Sequence, residues 1–279
     1  MSDSSPAELS AVVARTAELL SGRRIALLTG AGVSTDSGIP AYRGEGARTR
    51  ADPMTIQRYL GDEAARRRYW VGGHLGWRAF ARADPNPGHL ALAEMESRGL
   101  VTGVITQNVD GLHLRAGSSR VIEVHGTMRR VLCLRCGQVF DRRDIATQIE
   151  ELNPWITVPE NVKLAPDGDV LPESTDGFVV PTCTVCDGML KPDVVFFGEY
   201  VPLDRFKAAE SLLRSSDAMI VAGSSLVVNS GVRLVERARR RSIPLVIINR
   251  EPTRADVWAD LTIAAGTSDV LPALQELLS

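Results

Sequence analysis

The cysteines of this chain form two pairs with the same spacing. Cys133 and Cys136 make the first pair, and Cys183 and Cys186 make the second, with two residues between the members of each. Four thiolates presented in this way make the closed tetrahedral site that a structural zinc ion prefers. No cysteine is left over, and a chain of cytosolic type uses such pairs for metal before disulfides. The spacing therefore predicts one structural Zn²⁺ ion, with reduced thiols or a redox pair as the alternative.

His125 is the best candidate for a general base. It follows an apolar run that predicts a buried strand and precedes Gly126, so we expect its imidazole at the end of that strand. An imidazole titrates near neutral pH and can accept a proton from a substrate hydroxyl. A single histidine is more often structural, and that is our interpretation of His74, His89 and His113.

Asn108 and Asp110 follow a second predicted strand, in the run TQNVD. Alternate residues of an extended segment point to one side, so the two side chains are suited to grip an amide and a sugar. Asn and Asp also favour turns for local backbone reasons, which is the alternative explanation.

The Gly30-Ala31-Gly32 turn follows the first predicted strand. Glycines in this position let backbone N–H groups approach a pyrophosphate. A dehydrogenase would carry Gly or Ala where Thr35 stands, and a second strand ending in an acid about 20 residues further on. Neither is found, so the turn favours a nucleotide site without NAD or FAD redox chemistry, or else a turn without a ligand.

Short apolar runs predict the strands that carry these residues, at 25–28, 101–105, 121–124, 218–222, 245–248 and 261–264. Helical patterns lie between and around them: one capped by Ser5 with Pro6 and Glu8 and ended by Gly22, and others at 89–97, 203–214, 231–241 and 269–278. Apolar strands without alternation, joined by amphipathic helices, predict an α/β fold with a parallel sheet covered on both faces.

Polar residues and glycines follow every one of these strands. In an open parallel sheet, the carboxyl ends of the strands form the ligand crevice. We therefore expect one site of dinucleotide size there. The later strand ends contribute Gly223, Ser224, Ser225, Asn249, Arg250, Glu251, Gly266, Thr267 and Ser268.

Two segments interrupt the alternation of strands and helices. Residues 43–88 are rich in Arg and aromatic residues and predict a helical insert, and residues 129–190 hold all the cysteines and predict a zinc-binding insert. The rest, 1–42, 89–128 and 191–279, forms the large part of a single domain spanning 1–279. The run KPDVVFFGE at 191–199 is either a core strand or an exposed edge that pairs with a substrate peptide.

Composition excludes several classes of protein. The chain is 44% apolar and 24% charged with a net charge of −2, which gives no basic field for nucleic acid or anionic lipid. It has no membrane-spanning apolar run and no secretory or transit signal at its start, so we expect a cytoplasmic protein without a membrane partner. Five arginines near the first cysteine pair leave a nucleic-acid-binding or NAD-sensing module as an alternative, although a solvated charged face is favoured.

Together these motifs resemble the sirtuins, the NAD-dependent protein lysine deacylases. The resemblance runs from about Gly30 to Pro272 and rests on GAGVSTDSGIPAYRG, TQNVDGLH, EVHG, the two CxxC pairs, KPDVVFFGE, GSSLVV and INRE. The stretches YW, PNPGH, LAPDGDV and VLCLRCG are similar to the class II branch, which includes bacterial relatives.

The resemblance implies a Rossmann-like large part and a zinc-bearing small part, with NAD as co-substrate and an acyl-lysine protein or peptide meeting in the cleft between them. It implies that the amide oxygen of the acyl-lysine attacks the nicotinamide ribose and expels nicotinamide. His125 would then activate a ribose hydroxyl, which attacks the resulting imidate and yields free lysine and O-acyl-ADP-ribose. Because NAD is consumed and not reduced, a redox fingerprint is not needed.

The same resemblance assigns the binding residues. Asn108 would hold the ribose and a water, and Asp110 the nicotinamide amide; both join His125 as catalytic residues. NAD would be bound by Gly30, Ala31, Gly32, Ser34, Thr35, Ile39, Tyr42, Arg43, Gln107, Asn108, Asp110, Gly223, Ser224, Ser225, Asn249, Arg250, Glu251 and Thr267. The acyl-lysine would contact Val194, Val195 and Phe196.

This chain departs from the family pattern near the acyl site. Ala41 stands where Asp is common, Tyr42 where Phe is usual, and no Tyr-x-x-Arg pair of the desuccinylating branch follows Arg43. A succinyl preference is therefore not expected, whereas acetyl and longer or branched acyl groups stay open. A protein mono-ADP-ribosyltransferase using the same activated ribose is the runner-up activity, and a monomer is the favoured state.

Overall fold

The computed structural model of the chain describes residues 5–42, 53–159 and 162–278. Its strands, in chain order, are β1 (Ile25–Thr29), β2 (Val101–Thr106), β3 (Val121–Glu123), β4 (Gly126–Cys133), β5 (Val139–Asp141), β6 (Leu190–Val194), β7 (Ala218–Ala222), β8 (Leu245–Ile248) and β9 (Leu261–Ile263). Its α-helices are α1 (Pro6–Leu20), α2 (Ile56–Gly61), α3 (Glu63–Arg82), α4 (Pro87–Ser97), α5 (Leu112–Arg115), α6 (Arg142–Leu152), α7 (Leu203–Arg214), α8 (Asn229–Arg240) and α9 (Thr267–Leu277).

The large sheet has the strand order β3-β2-β1-β7-β8-β9 and is parallel at every pairing. Each of the apolar runs that predicted a strand lies in one of these strands, with ends that differ by no more than one residue. In β1 and β7 every residue is buried, as expected for strands covered on both faces. The α/β prediction with a Rossmann-like parallel sheet is confirmed.

Helices cover both faces of this sheet. Leu20 of α1, Leu92 of α4 and Leu271 of α9 pack in one apolar core, whereas Leu212 of α7 and Leu234 of α8 pack in the core on the other side. Burying side chains of this size stabilises a fold by about 1.5–3 kcal/mol each. Within the described ranges, no helix combines the length and the apolar character needed to cross a bilayer.

Helix α1 carries the cap that its sequence predicts. Ser5 and Glu8 form a capping box at α1, where the Ser5 side chain accepts from the Glu8 N–H and the Glu8 carboxylate accepts from the Ser5 N–H. Helix α8 starts at Asn229, two residues before the predicted start at Gly231. That difference places Ser230 in the first turn of a helix that begins at the cleft.

The two inserts share one apolar core. Trp70 of the helical insert packs with Ile145 and Ile149 of the zinc-binding insert, beside a three-stranded antiparallel sheet of order β5-β4-β6. The fully buried Arg142 lies between two indoles, with its guanidinium carbon 5.5 Å from the Trp70 ring centroid and 5.3 Å from that of Trp77. Such cation–π contacts join α3 to α6.

The division of the chain at residues 42, 88, 128 and 190 stays a prediction. Strand β6 bears on it directly, because residues 191–194, which we assigned to the large part, pair with β4 in the small sheet. The inserts are therefore continuous with the segment that leads back into the large sheet.

Candidate active site

A cleft with a volume of about 2200 Å³ opens where the strands of the large sheet end. Strand β1 pairs with β2 on one side and β7 on the other, so the chain order reverses at β1, which is where ligands bind in doubly wound sheets. Pockets for small ligands usually measure roughly 300–1,000 Å³, so this cleft has room for more than one small ligand.

The predicted cofactor- and substrate-binding residues meet in this one cleft. Arg43 is the exception, because it lies outside the described residues. Lining the cleft are Gly30, Ala31, Gly32, Ser34, Thr35, Ile39, Tyr42, Gln107, Asn108, Asp110, His125, Val194, Val195, Phe196, Gly223, Ser224, Ser225, Asn249, Arg250, Glu251 and Thr267.

The glycine turn after β1 lies directly against the turn after β7. The Gly30 N–H donates to the Ala222 carbonyl at 3.1 Å, and the Gly32 N–H donates to the Gly223 carbonyl at 2.8 Å. A Cβ on Gly32 would lie 2.8 Å from the Gly223 Cα, a distance that real Cβ atoms do not adopt. Glycine is required at position 32 because another backbone occupies the space of a side chain.

Gly32→Ala is expected to destabilise the fold and weaken nucleotide binding. The new methyl group must push Gly223 away, and overpacking of this kind costs about 1–3 kcal/mol. Urea unfolding should show the loss of stability, and the KM for NAD should rise. Gly61→Ala is the matched control, because a Cβ there meets nothing within 4 Å at the end of α2. Equal effects of the two variants would contradict the close approach.

Asn108 and Asp110 hold the turn after β1 from within the cleft. The Asn108 amide donates to the Gly30 carbonyl and to Ser34 Oγ, both at 3.0 Å, and Ser34 Oγ donates to Asp110 Oδ2 at 2.8 Å. Burial raises the pKa of Asp110, while the Leu112 N–H and Ser34 hydroxyl oppose that rise by donating to the carboxylate. A carboxylate has about four lone-pair sites, so Asp110 retains acceptor capacity for a ligand amide.

Asn86 holds the same turn from a position outside the cleft lining. Its amide donates to the Val33 carbonyl at 2.7 Å and to Ser37 Oγ at 3.1 Å, while its carbonyl oxygen caps α4 by accepting from the Gly88 and His89 N–H groups. The run PNPGH was interpreted only as a resemblance to the class II branch, and nothing in it predicted this long-range contact. Asn86 is a positioning residue that sequence reasoning missed.

His89 and His113 form a buried pair beside Asn86 and the end of β1. Their ring centroids are 4.8 Å apart, and His113 Nε2 lies 2.9 Å from Thr29 Oγ1 at the end of β1. Burial lowers the pKa of His89 to about 4 and that of His113 well below its ordinary value, so both rings are neutral near pH 7. This supports the structural interpretation of both histidines.

His125 lies between β3 and β4 with a hydrogen-bond partner at each ring nitrogen. Nδ1 is 3.1 Å from the Gln107 carbonyl oxygen, and Nε2 is 2.9 Å from Ser230 Oγ. Burial lowers the pKa of His125, and the Gln107 carbonyl partly offsets this. The imidazole is therefore neutral near pH 7 and has a lone pair available to take a proton, as a general base requires.

The ends of β7 and β8 form the opposite half of the cleft. Ser224 Oγ donates to Gln107 Oε1 at 2.6 Å, which ties the turn after β7 to the segment after β2. Asn249 donates to the backbone carbonyl of Glu251 at 2.6 Å, and Thr267 begins α9. Arg250 lies 3.6 Å from Asp36, so an ion pair spans the two halves of the cleft.

Residues 191–194 form a buried strand, as in the first of the two alternatives predicted for the segment 191–199. Strand β6 is an edge strand of the small sheet, yet all its residues are buried, including Lys191 and Asp193. Lys191 Nζ donates to the Val194 carbonyl at 2.6 Å and pairs with Glu199 at 3.0 Å, and Asp193 pairs with Arg130 and Arg205.

The exposed part of the segment 191–199 begins just after β6. The Val195 N–H donates to the His125 carbonyl at 2.8 Å, so this segment lies beside the candidate base. Phe197 is half exposed at the cleft. The backbone turns directly afterwards, because the Glu199 N–H donates to the Phe196 carbonyl at 3.0 Å, and this turn lines the cleft.

The four cysteines form one cluster outside the cleft lining. Their Sγ atoms lie within 4.8 Å of one another, with Cys133 and Cys186 at 3.5 Å and Cys136 and Cys183 at 3.7 Å. A tetrahedral ion with Zn–S bonds of about 2.3 Å places its sulfurs roughly 3.8 Å apart, so the donor set fits zinc. The Cys136 and Arg135 N–H groups donate to the Cys133 sulfur and lower its pKa, which favours the thiolate that a metal binds.

Comparison with known proteins gives consistent matches over most of the chain. The model of the Sir2 family matches residues 30–230. NAD-dependent protein deacetylase 1 of Mycobacterium avium is 49% identical, covering 94% of this chain and 94% of the relative. The mitochondrial NAD-dependent protein lipoamidase sirtuin-4 of Bos taurus is 43% identical, covering 90% of this chain and 82% of the relative. A solved structure of Sir2 with a p53 peptide and NAD⁺ is 32% identical with a TM-score of 0.77, covering 94% and 96% of the two chains.

Proposed function

The chain belongs to the Sir2 family, and we propose from this premise that it is an NAD-dependent protein lysine deacylase. It cleaves nicotinamide from NAD and transfers the acyl group of an acyl-lysine to ADP-ribose. The observation that carries this function is the position of a neutral imidazole, His125, between the turns at the strand ends and the backbone of Val195, whose N–H donates to the His125 carbonyl. One cleft therefore holds a base, a dinucleotide site and a peptide site.

The reaction needs one proton acceptor beside the ribose. The amide oxygen of the acyl-lysine forms a bond to the ribose carbon as the bond to nicotinamide breaks. His125 Nε2 then takes the proton of a ribose hydroxyl, whose oxygen attacks the imidate carbon. Water completes the release of free lysine and O-acyl-ADP-ribose. A positioned general base contributes about 10²–10⁴-fold to such a step.

The residues that grip NAD follow from the same geometry. We assign the ribose and a water to Asn108 and the nicotinamide amide to Asp110, whose carboxylate retains free acceptor sites. We place the phosphates at the glycine turn, where Gly30 and Gly32 allow a close approach to the backbone although their own N–H groups donate to the Ala222 and Gly223 carbonyls. The strand ends at Ser224, Asn249 and Thr267 hold the adenosine half.

The acyl-lysine lies along Val194, Val195 and Phe196 in this proposal. The Phe196 ring packs against Tyr59 and Tyr69, with centroids 5.0 and 5.1 Å away, which gives an aromatic wall at that end of the cleft. Apolar walls suit the methylene chain of lysine and an uncharged acyl group.

Zinc has a structural role in this proposal. Four thiolates fill a tetrahedral shell and leave no position for a substrate or an activated water. Bound zinc would hold β4, which starts next to His125, and β6, which leads to Val195. Reduced thiolates of this kind are kept in a reducing compartment, so we place the protein in the cytoplasm. We propose a monomer, since the cleft is built from one chain.

The nucleic-acid alternative is weakened by the positions of three of the five arginines near the first cysteine pair. Arg129 pairs with Glu123 at 3.4 Å, Arg130 pairs with Asp193 at 2.9 Å, and Arg142 is buried between indoles. Cations held by acids or by the core do not form the free basic face that phosphate binding needs.

The test is product analysis of purified protein with NAD and a panel of acyl-lysine peptides. The panel includes acetyl, lipoyl, branched short-chain and succinyl groups on one peptide sequence. We expect nicotinamide, deacylated peptide and O-acyl-ADP-ribose in equal amounts by mass spectrometry, with succinyl-lysine turned over poorly. Reactions without NAD serve as the control for contaminating hydrolases.

Two results would overturn the proposal. ADP-ribose attached to protein, together with nicotinamide and an unchanged peptide, would instead establish the ADP-ribosyltransferase. Failure to consume NAD with any peptide would leave a module that binds NAD without chemistry.

A further inference from the structure

The hydrogen bonds of His125 fix which nitrogen carries the proton. A backbone carbonyl only accepts, so the nitrogen that faces the Gln107 carbonyl, Nδ1, must be the N–H. Nε2 is then the lone-pair nitrogen, and the hydroxyl of Ser230 donates to it at 2.9 Å. The base is thus occupied at its reactive nitrogen by a hydroxyl that lies 105 residues away in the chain.

Ser230 is placed for this contact by the start of α8. It is the second residue of that helix, is 9% exposed, and lines the cleft next to Val228 and Asn229. The N-terminal end of a helix carries a partial positive charge, which disfavours an imidazolium beside it. A neutral donor is therefore the partner that suits Nε2 at this position.

We propose that Ser230 is a positioning residue for the base: its hydroxyl holds the His125 ring with Nε2 facing the cleft, and yields that nitrogen to the ribose hydroxyl when NAD binds. The proposal rests on the proposed function only in naming His125 as the base. With both nitrogens bonded, the ring has one orientation and one tautomer. Without Ser230, only the Gln107 bond holds the ring, so a rotated ring, in which Nδ1 has left that carbonyl and the proton can move to Nε2, costs one hydrogen bond instead of two.

The number of hydrogen bonds that His125 Nε2 accepts stays the same when the ribose hydroxyl replaces Ser230. Before NAD binds, Ser230 donates to Nε2; afterwards a ribose hydroxyl donates to Nε2, and Ser230 is free to accept from or donate to the sugar. Ser230 forms and breaks no covalent bond. The ribose proton is transferred to Nε2 when the ribose oxygen attacks the imidate. Ser230 therefore acts through His125.

The test compares Ser230→Ala with Ser230→Thr, which keeps the hydroxyl. Nitrogen-15 spectra of histidine-labelled protein report the tautomer of His125 without any turnover, and the His125→Ala spectrum identifies its signals. We expect a single Nδ1–H tautomer in the parent chain and in Ser230→Thr, and a mixture in Ser230→Ala. Ser97→Ala, which removes an exposed hydroxyl outside the cleft lining, should leave the spectrum unchanged.

Kinetics supply the second measurement. Loss of one hydrogen bond that orients the base should lower kcat about tenfold in Ser230→Ala, with the KM for NAD within about twofold and near-complete rescue in Ser230→Thr.

The pH profile should also move. Burial and the Gln107 carbonyl, and no charged side chain of the described residues, set the pKa of His125. Removing a donor to the neutral ring raises that pKa, so the acidic limb of kcat/KM should move to higher pH in Ser230→Ala.

Three outcomes would overturn the role of Ser230. They are an unchanged tautomer and pH profile in Ser230→Ala, equal impairment of the Ala and Thr variants, and a fall in thermal stability that accounts for the lost activity. If His125→Ala were to retain full activity, the proposed function would fail instead, and the tautomer measurement would still report on Ser230.

Discussion

His125→Ala is expected to abolish turnover while the fold and the cysteine cluster stay intact. In the proposed mechanism the imidazole accepts the ribose proton, and loss of a general base lowers rates by about 10²–10⁴-fold. Its backbone contact does not depend on the side chain, because the Val195 N–H donates to the residue 125 carbonyl. The measurement is O-acyl-ADP-ribose formation by mass spectrometry at saturating NAD.

The matched control for this variant is His74→Gln. His74 is a buried imidazole in α3 that does not line the cleft, so its replacement should change thermal stability but not kcat. Circular dichroism and the zinc content of both variants separate loss of chemistry from loss of structure. Activity of His125→Ala within tenfold of the parent chain would contradict the role of this base.

The same residue sets the pH dependence of the reaction. Burial lowers the pKa of His125, so the base stays neutral at pH 7 and becomes protonated only as the pH falls through that lowered value. We therefore expect kcat/KM to be flat around neutral pH and to fall on the acidic side at a pH below 6.5, the ordinary value for histidine. The residual activity of His125→Ala should lack this acidic limb.

The large sheet was predictable because its signals are local. A parallel strand covered on both faces needs a continuous apolar run, and runs such as 25–28 and 218–222 have the length of a strand and not of a helix. Caps such as Ser5 at α1 are likewise set within one turn of the helix. Once the strands are placed, the rule that ligands bind at their carboxyl ends also places the cleft.

The small part was less predictable because its stability comes from contacts between distant segments. The run KPDV has the charges of a surface segment, yet β6 is buried because Lys191 pairs with Glu199 and Asp193 pairs with two arginines. Buried charges need such partners. Arg130 lies 63 residues before Asp193, so the sequence around Asp193 does not reveal this ion pair.

Two positioning residues were missed for related reasons. The helix pattern at 231–241 excluded Ser230, whereas α8 begins at Asn229 and brings that hydroxyl to His125. Asn86 was not singled out at all, because its bonds to Val33 and Ser37 cross from the start of α4 to the turn after β1. Both contacts exist only after the sheet has brought separate loops together.

Cys183→Ser is expected to abolish zinc binding and to unfold the small part of the protein. Cys183 is completely buried and belongs to the same apolar core as Trp70, Ile145 and Leu190. Structural zinc binds zinc-finger peptides with about 10–16 kcal/mol, comparable with the roughly 5–15 kcal/mol that holds a whole domain folded. Three thiolates and a hydroxyl lose most of that affinity, so the core that surrounds the site should open.

Activity should be lost with the metal, even though no cysteine lines the cleft. Strand β4 ends at Cys133 and starts next to His125, and β6 leads from the second cysteine pair to Val195. Unfolding of these strands removes both the base and the peptide wall from their places. The zinc content from elemental analysis, the thermal unfolding temperature and the deacylation rate should therefore fall together. A strong chelator should reproduce these losses in the parent chain.

Val185→Ser is the matched control, because it changes an exposed side chain between Cys183 and Cys186 without removing a thiolate. Val185 is 68% exposed, so this variant should keep one zinc ion, its unfolding transition and its activity. If Cys183→Ser kept full activity and stability without zinc, the cluster would be four buried thiols packed as small apolar groups. Loss of stability with zinc still bound would instead assign the effect to packing of the Cys183 side chain, so metal content decides between the two explanations.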